Sequence, residues 1–102
     1  MSRSVLLTQD AERDLDRLGD FLIDKNPHVA RKAMLSVRQA AATLADLAER
    51  GRPAPKDDLR ELVVRVGGGP YIIEYRVYPG QVVVFRIWHA LEDRRGLTPD
   101  AG

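Results

Sequence analysis

The chain of 102 residues contains no cysteine and only two histidines. The absence of cysteine excludes disulfides and thiolate metal sites, and it favours a reducing, cytoplasmic compartment. Two isolated histidines have no metal-ligand spacing, so we expect neither a metal site nor a cofactor. No apolar run approaches the ~20 residues that span a bilayer, so no membrane segment is predicted.

Strong charge of either sign is also missing. The formal net charge is +1, which argues against a domain that works mainly by neutralising phosphates. The triplet Gly67-Gly68-Gly69 lacks the lysine and hydroxyl residue of a phosphate-binding loop, so it predicts a hairpin turn. With 44% apolar and 30% charged residues, the composition is that of one globular domain. We place this domain at residues 1–95, followed by a flexible tail at 96–102.

The apolar periodicities predict an α+β fold with the order β-α-α-β-β-β, in which a helical hairpin covers a mostly antiparallel sheet. Thr8 and Asn26 are suited to cap the two helices, and Gly51 to end the second one in a left-handed conformation. The second helix carries an apolar stripe that continues to Leu47. The predicted strands are 4–8, 59–66, 71–78 and 81–89.

The last two strands form the most informative segment, a hairpin turning at Pro79-Gly80. Strict alternation assigns one face of the hairpin to the core. These predicted core residues are Tyr71, Ile73, Tyr75, Val77, Val83, Phe85 and Ile87. The opposite face should then expose an apolar strip bordered by arginines, which is typical of a partner-binding surface. The strip and its border comprise Ile72, Arg76, Val82, Val84, Arg86 and Trp88. Packing against the chain's own loops or a second copy is the alternative.

A nuclease would need cationic side chains around a phosphate and a general base. Residues of the right type are Lys56, Arg60, Glu61, Arg65, Arg86 and His89. Their spacing is not diagnostic, since arginine and glutamate on neighbouring strands commonly form cross-strand pairs.

The order of these elements, together with several local strings, resembles the ParE family of the RelE/ParE toxin-antitoxin superfamily. The resemblance covers about residues 4–95. The matching strings include Val5-Leu6-Leu7-Thr8, Asn26-Pro27, Gly51-Arg52, Leu59-Arg60-Glu61-Leu62, Tyr71 to Val77 and Val84 to His89.

The resemblance implies a cytoplasmic bacterial toxin that is neutralised by a cognate ParD-like antitoxin in a hetero-oligomeric complex. It implies DNA gyrase as the target, and DNA contact only indirectly, through an antitoxin that represses the operon. The alternative is a RelE-type, ribosome-dependent mRNA endonuclease using Arg60, Arg65, Arg86 and His89; an inert binding module is a third possibility. RelE-type nucleases often carry an arginine where this chain has Ile72, and this departure favours binding over catalysis.

Two sets of contact residues follow. We expect the antitoxin to bind the helical hairpin and the sheet face, with apolar anchors at Ile72, Val82, Val84 and Trp88. Arg76 and Arg86 would pair with antitoxin carboxylates. For the target we expect contacts from His89, Arg94 and Arg95.

Overall fold

A computed structural model describes residues 2–55 and 57–92. Arg94, Arg95, Lys56 and the predicted tail at 96–102 lie outside the described residues. The elements are β1 (Ser4–Leu7), α1 (Gln9–Ile23), α2 (Pro27–Ala42), a 3₁₀ turn (Thr43–Ala45), β2 (Arg52–Pro53), β3 (Arg60–Val64), β4 (Tyr71–Tyr78) and β5 (Gln81–His89). The predicted α+β class is confirmed, and the two-residue strand β2 is an addition to the predicted order.

The strands form one sheet in the order β1-β5-β4-β3-β2. β1 runs parallel to β5, and every other pairing is antiparallel. The core lies between the helical hairpin and one face of this sheet, where Leu15, Val37, Ile73 and Ile87 pack together. Among the described residues, no helix is both long and apolar enough to cross a bilayer.

Both helix starts follow the expected capping chemistry. The Thr8 hydroxyl accepts a hydrogen bond from the Ala11 N–H, and the Asn26 carboxamide oxygen accepts from the N–H groups of His28 and Val29. Each side chain thereby satisfies amide groups that have no partner inside the helix.

The predicted end of the second helix is wrong. α2 stops at Ala42 and tightens into the 3₁₀ turn, which leaves Leu47 59% exposed. Gly51 is not in the left-handed region, which among the described glycines only Gly68 adopts, at φ 85°. Position 51 requires a glycine because Tyr75 approaches it closely. An added Cβ would lie 2.6 Å from the Tyr75 hydroxyl oxygen.

A register shift between Glu74 and Tyr75 breaks the alternation predicted for the hairpin. Before the shift Ile73 pairs with Ile87, and after it Tyr75 pairs with Val84. The extra residue on β5 moves Val82 and Val84 onto the helix-facing side, where both are fully buried. Val83 and Phe85, which were predicted in the core, are only half-buried.

Candidate functional site

A buried carboxylate organises the junction between α1 and β5. Asp14 is 1% exposed and lies on the apolar face of α1. It accepts hydrogen bonds from Arg86 Nε and Nη2 at 2.8 and 3.0 Å and from the Ile87 N–H at 2.8 Å. Arg17 Nη1 is a further donor to the same carboxylate. Burial alone would raise the pKa of Asp14, but the hydrogen bonds from Arg86, Ile87 and Arg17 outweigh it and lower the pKa.

Arg17 extends this network to the end of β5. Its Nε and Nη2 donate to the Glu92 carboxylate at 3.1 and 3.0 Å, and Nη2 also donates to the Ile87 carbonyl at 3.2 Å. Glu92 in turn accepts from the His89 N–H at 2.8 Å. The turn that follows β5 is therefore fixed to α1 through charge-assisted hydrogen bonds.

Both ring nitrogens of His89 are engaged. Nδ1 accepts the Leu91 N–H at 3.1 Å, so in the neutral ring Nε2 carries the proton, and it donates to the Gly68 carbonyl at 2.6 Å. The ring also meets Tyr71 edge-on, with 5.3 Å between centroids. In this arrangement His89 joins the end of β5 to the 67–70 turn and has no free lone pair for proton transfer.

A cleft of about 580 Å³ opens beside this turn. From the helical side it is lined by Arg17, Leu18, Phe21 and Lys25, and from the end of β5 by His89, Leu91 and Glu92. Phe21 is 62% exposed and Leu91 89% exposed, and both line this one depression. The cleft is thus a mainly apolar depression with cationic groups at its margin.

The strip predicted for antitoxin binding is not exposed in the structure. Val82 and Val84 are in the core, while Trp88 is 3% and Ile72 9% exposed. Arg86 is occupied by Asp14, and Arg76 donates to the Asp57 carbonyl while stacking over Phe85 at 5.9 Å. Strand alternation alone could not reveal the register shift that buries the two valines.

Of the four candidate catalytic residues, Arg60 lies apart from His89, while Arg65 lies at the same end of the sheet as His89. Arg60 pairs with Tyr75 and His89 with Tyr71, so about four residues of strand, roughly 13 Å, separate their backbones. The Arg60 guanidinium points to the Gly51 carbonyl at 2.7 Å, Arg65 is exposed at the end of β3, and Arg86 is held by Asp14. Only His89 of the four lines the cleft.

Sequence reasoning missed the importance of Asp14, Arg17 and Glu92. The signal for Asp14 was present, because its spacing from Ala11, Leu15 and Leu18 places a carboxylate on the apolar stripe of α1. A charged residue there requires a buried partner. The partner Arg86 is 72 positions away and could not be assigned from periodicity. Among the described residues, no group of three or more metal-ligating side chains is present.

Comparison with known proteins decides the family. The family model described as "ParE toxin of type II toxin-antitoxin system, parDE" matches residues 5–94. The chain belongs to the ParE toxin family. It is therefore a type II toxin of the RelE/ParE superfamily, which confirms the resemblance noted in the sequence.

Relatives carry names from both branches of this superfamily. Two toxins of Caulobacter vibrioides, Toxin RelE3 and Toxin RelE1, are 39% and 34% identical over 90% and 92% of this chain and 99% and 100% of their own lengths. The chromosomal ParDE system of P. aeruginosa contains a chain with a TM-score of 0.75 and 25% identity, covering 86% of this chain and 96% of that one. The RelBE2 complex of Mycobacterium tuberculosis, with a TM-score of 0.58 and 23% identity over 90% of this chain and 95% of that one, shares the fold.

Proposed function

We propose that this ParE-family toxin acts by binding and inhibiting DNA gyrase, and that a cognate ParD-like antitoxin neutralises it. The distance of Arg60 from His89 and the engagement of Arg86 and His89 in hydrogen bonds carry the proposal. A ribonuclease must bring a base and cationic groups within hydrogen-bond reach of one phosphate. Here Arg86 is held by the buried Asp14, His89 by the Gly68 carbonyl and the Leu91 N–H, and Arg60 lies about four strand residues from His89.

The antitoxin would bind the outer face of the helical hairpin. Of the two surfaces predicted for the antitoxin, the sheet strip has apolar residues that are largely buried. The hairpin instead exposes Ile23 to 51%, Val29 to 41% and Leu35 to 55%. Apolar side chains exposed on neighbouring helices favour a protein partner. With a net charge of only +1, the toxin would leave DNA contact in the complex to the antitoxin.

RelE-type cleavage of mRNA on the ribosome is the second candidate, favoured by the names of the Caulobacter relatives. Two assays on the same purified protein separate the candidates: gyrase supercoiling, and messenger integrity in a translation extract. Gyrase inhibition with intact messenger supports the proposal. Messenger cleavage that disappears in Arg65→Ala and His89→Ala, with supercoiling unaffected, would overturn it, and so would inactivity in both assays.

Antitoxin binding is tested separately by titrating the toxin with the antitoxin encoded beside it. We expect Leu35→Ser to weaken the complex by about tenfold, the loss typical of one apolar interface residue. Leu47→Ser, at a position 59% exposed but away from the hairpin face, is the matched control. Equal antitoxin affinities of the two variants would contradict the proposal that the hairpin face binds the antitoxin.

A further inference from the structure

The cleft between α1 and the end of β5 combines apolar surface with one cation, Lys25, that has no ion pair among residues 2–55 and 57–92. Phe21 on α1 and Leu91 after β5 line the same depression, although they are distant in sequence. Their exposures of 62% and 89% place two large apolar groups in water. Because removing such groups from water is favourable, a partner that covers both gains binding free energy.

The charges around the cleft define what can enter it. Glu92 pairs with Arg17, so neither charge is available to a ligand without breaking a bidentate contact. Lys25 lies with its ammonium 5.0 Å from the centroid of the Phe21 ring. Within residues 2–55 and 57–92 it forms no salt bridge. The cleft therefore offers one cation next to an aromatic face.

This balance favours a protein partner over a nucleic acid. A nucleic acid strand needs several cations along its phosphates. The described part of the cleft instead offers Lys25 beside apolar walls, which matches a carboxylate next to an apolar side chain. The network of Asp14, Arg17 and Glu92 fixes both walls, so the cleft is formed before binding and little ordering is required.

We propose that this cleft is the contact site for the toxin's target, and that it receives a segment of DNA gyrase bearing a leucine or aromatic side chain beside an aspartate or glutamate. The inference rests on the proposed function, since it assigns a location to the gyrase contact. The antitoxin, which the hairpin face would hold, is the competing occupant, together with a second copy of the toxin and the chain's own residues 93–102.

Two substitutions test the assignment, and each has a matched control. Phe21→Ser removes the aromatic wall, and Leu47→Ser removes an equally exposed apolar group elsewhere. Lys25→Glu reverses the free cation, and Lys32→Glu makes the same change on α2. We expect the first member of each pair to raise the toxin concentration that half-inhibits gyrase by about tenfold or more, as for an interface hot spot. Both controls should match the wild type in gyrase inhibition, and antitoxin affinity should be unchanged in Phe21→Ser, Lys25→Glu and Leu47→Ser.

The possible failures are distinguishable. A wild type that leaves supercoiling unaffected overturns the proposed function and this assignment with it. Wild-type inhibition that survives Phe21→Ser and Lys25→Glu overturns the cleft alone. Loss of antitoxin affinity in a folded Phe21→Ser variant assigns the cleft to the antitoxin, and self-association abolished by that substitution assigns it to a second copy. Inhibition strengthened by removal of residues 93–102 and insensitive to Phe21→Ser assigns it to the chain's own end.

Discussion

The Asp14 carboxylate on α1 and the Arg86 guanidinium on β5 form a bidentate pair, with N···O distances of 2.8 and 3.0 Å. Asp14 is 1% exposed, so removing its carboxylate would leave the partly buried Arg86 guanidinium without its bidentate hydrogen-bond acceptor. We expect Asp14→Ala to lower the free energy of unfolding by about 3 kcal/mol. Urea denaturation measures this change. Asp16→Ala, on the exposed side of the same helix, should stay within about 0.5 kcal/mol of the wild type; equal losses would refute a special role for Asp14.

The same carboxylate should make stability depend on pH in the acid range. The pKa of Asp14 is lower in the folded protein than its ordinary value of 3.8. Its stabilising contribution is therefore complete above that value and is lost as the pH falls through the folded pKa. The free energy of unfolding, followed from about pH 5 to pH 2, should fall less steeply in Asp14→Asn than in the wild type. Parallel curves for the two proteins would contradict the assignment.

The Tyr75 hydroxyl joins the loop before β2 to the sheet. It accepts from the Gly51 N–H at 2.9 Å and donates to the Ala48 carbonyl at 2.8 Å, both in the buried interior. Tyr75→Phe leaves these two backbone groups without partners, and we expect a loss of about 2 kcal/mol of unfolding free energy. Thermal and urea unfolding measure it. Tyr78→Phe, at a position 38% exposed, is the control and should be nearly neutral.

Close approach at Gly51 gives an independent test of the same junction. A Cβ there would lie 2.6 Å from the Tyr75 hydroxyl and 2.8 Å from the Glu61 carbonyl oxygen, which belongs to the backbone. We expect Gly51→Ala to destabilise the protein by about 1–3 kcal/mol through overpacking. At Gly67 an added Cβ meets nothing within 4 Å, so Gly67→Ala should be tolerated. Similar melting temperatures for the two variants would show that the loop containing Gly51 can shift to accommodate a Cβ without loss of stability.

Local chemistry made much of the fold predictable from the sequence. The caps at Thr8 and Asn26 and the turn at Gly68 depend on the conformational preferences of single residues. The errors arose where a distant contact decides the outcome. The bulge opposite Glu74 moves Val82 and Val84 to the opposite face of the sheet from the one predicted. The close approach of Tyr75 explains why residue 51 is a glycine. Likewise His89 was recognised as notable, but its engagement by Gly68 and Leu91 depends on how the turns meet.

The parallel pairing of β1 with β5 has a consequence for the synthesis of this toxin. Residues Ser4–Leu7 are synthesised well before their partner strand Gln81–Val84, which follows much later in the chain. Until then β1 has no neighbour, Asp14 has no guanidinium from β5, and the cleft lacks the wall formed by Leu91. A nascent chain that ends before β5 therefore cannot present the proposed gyrase surface.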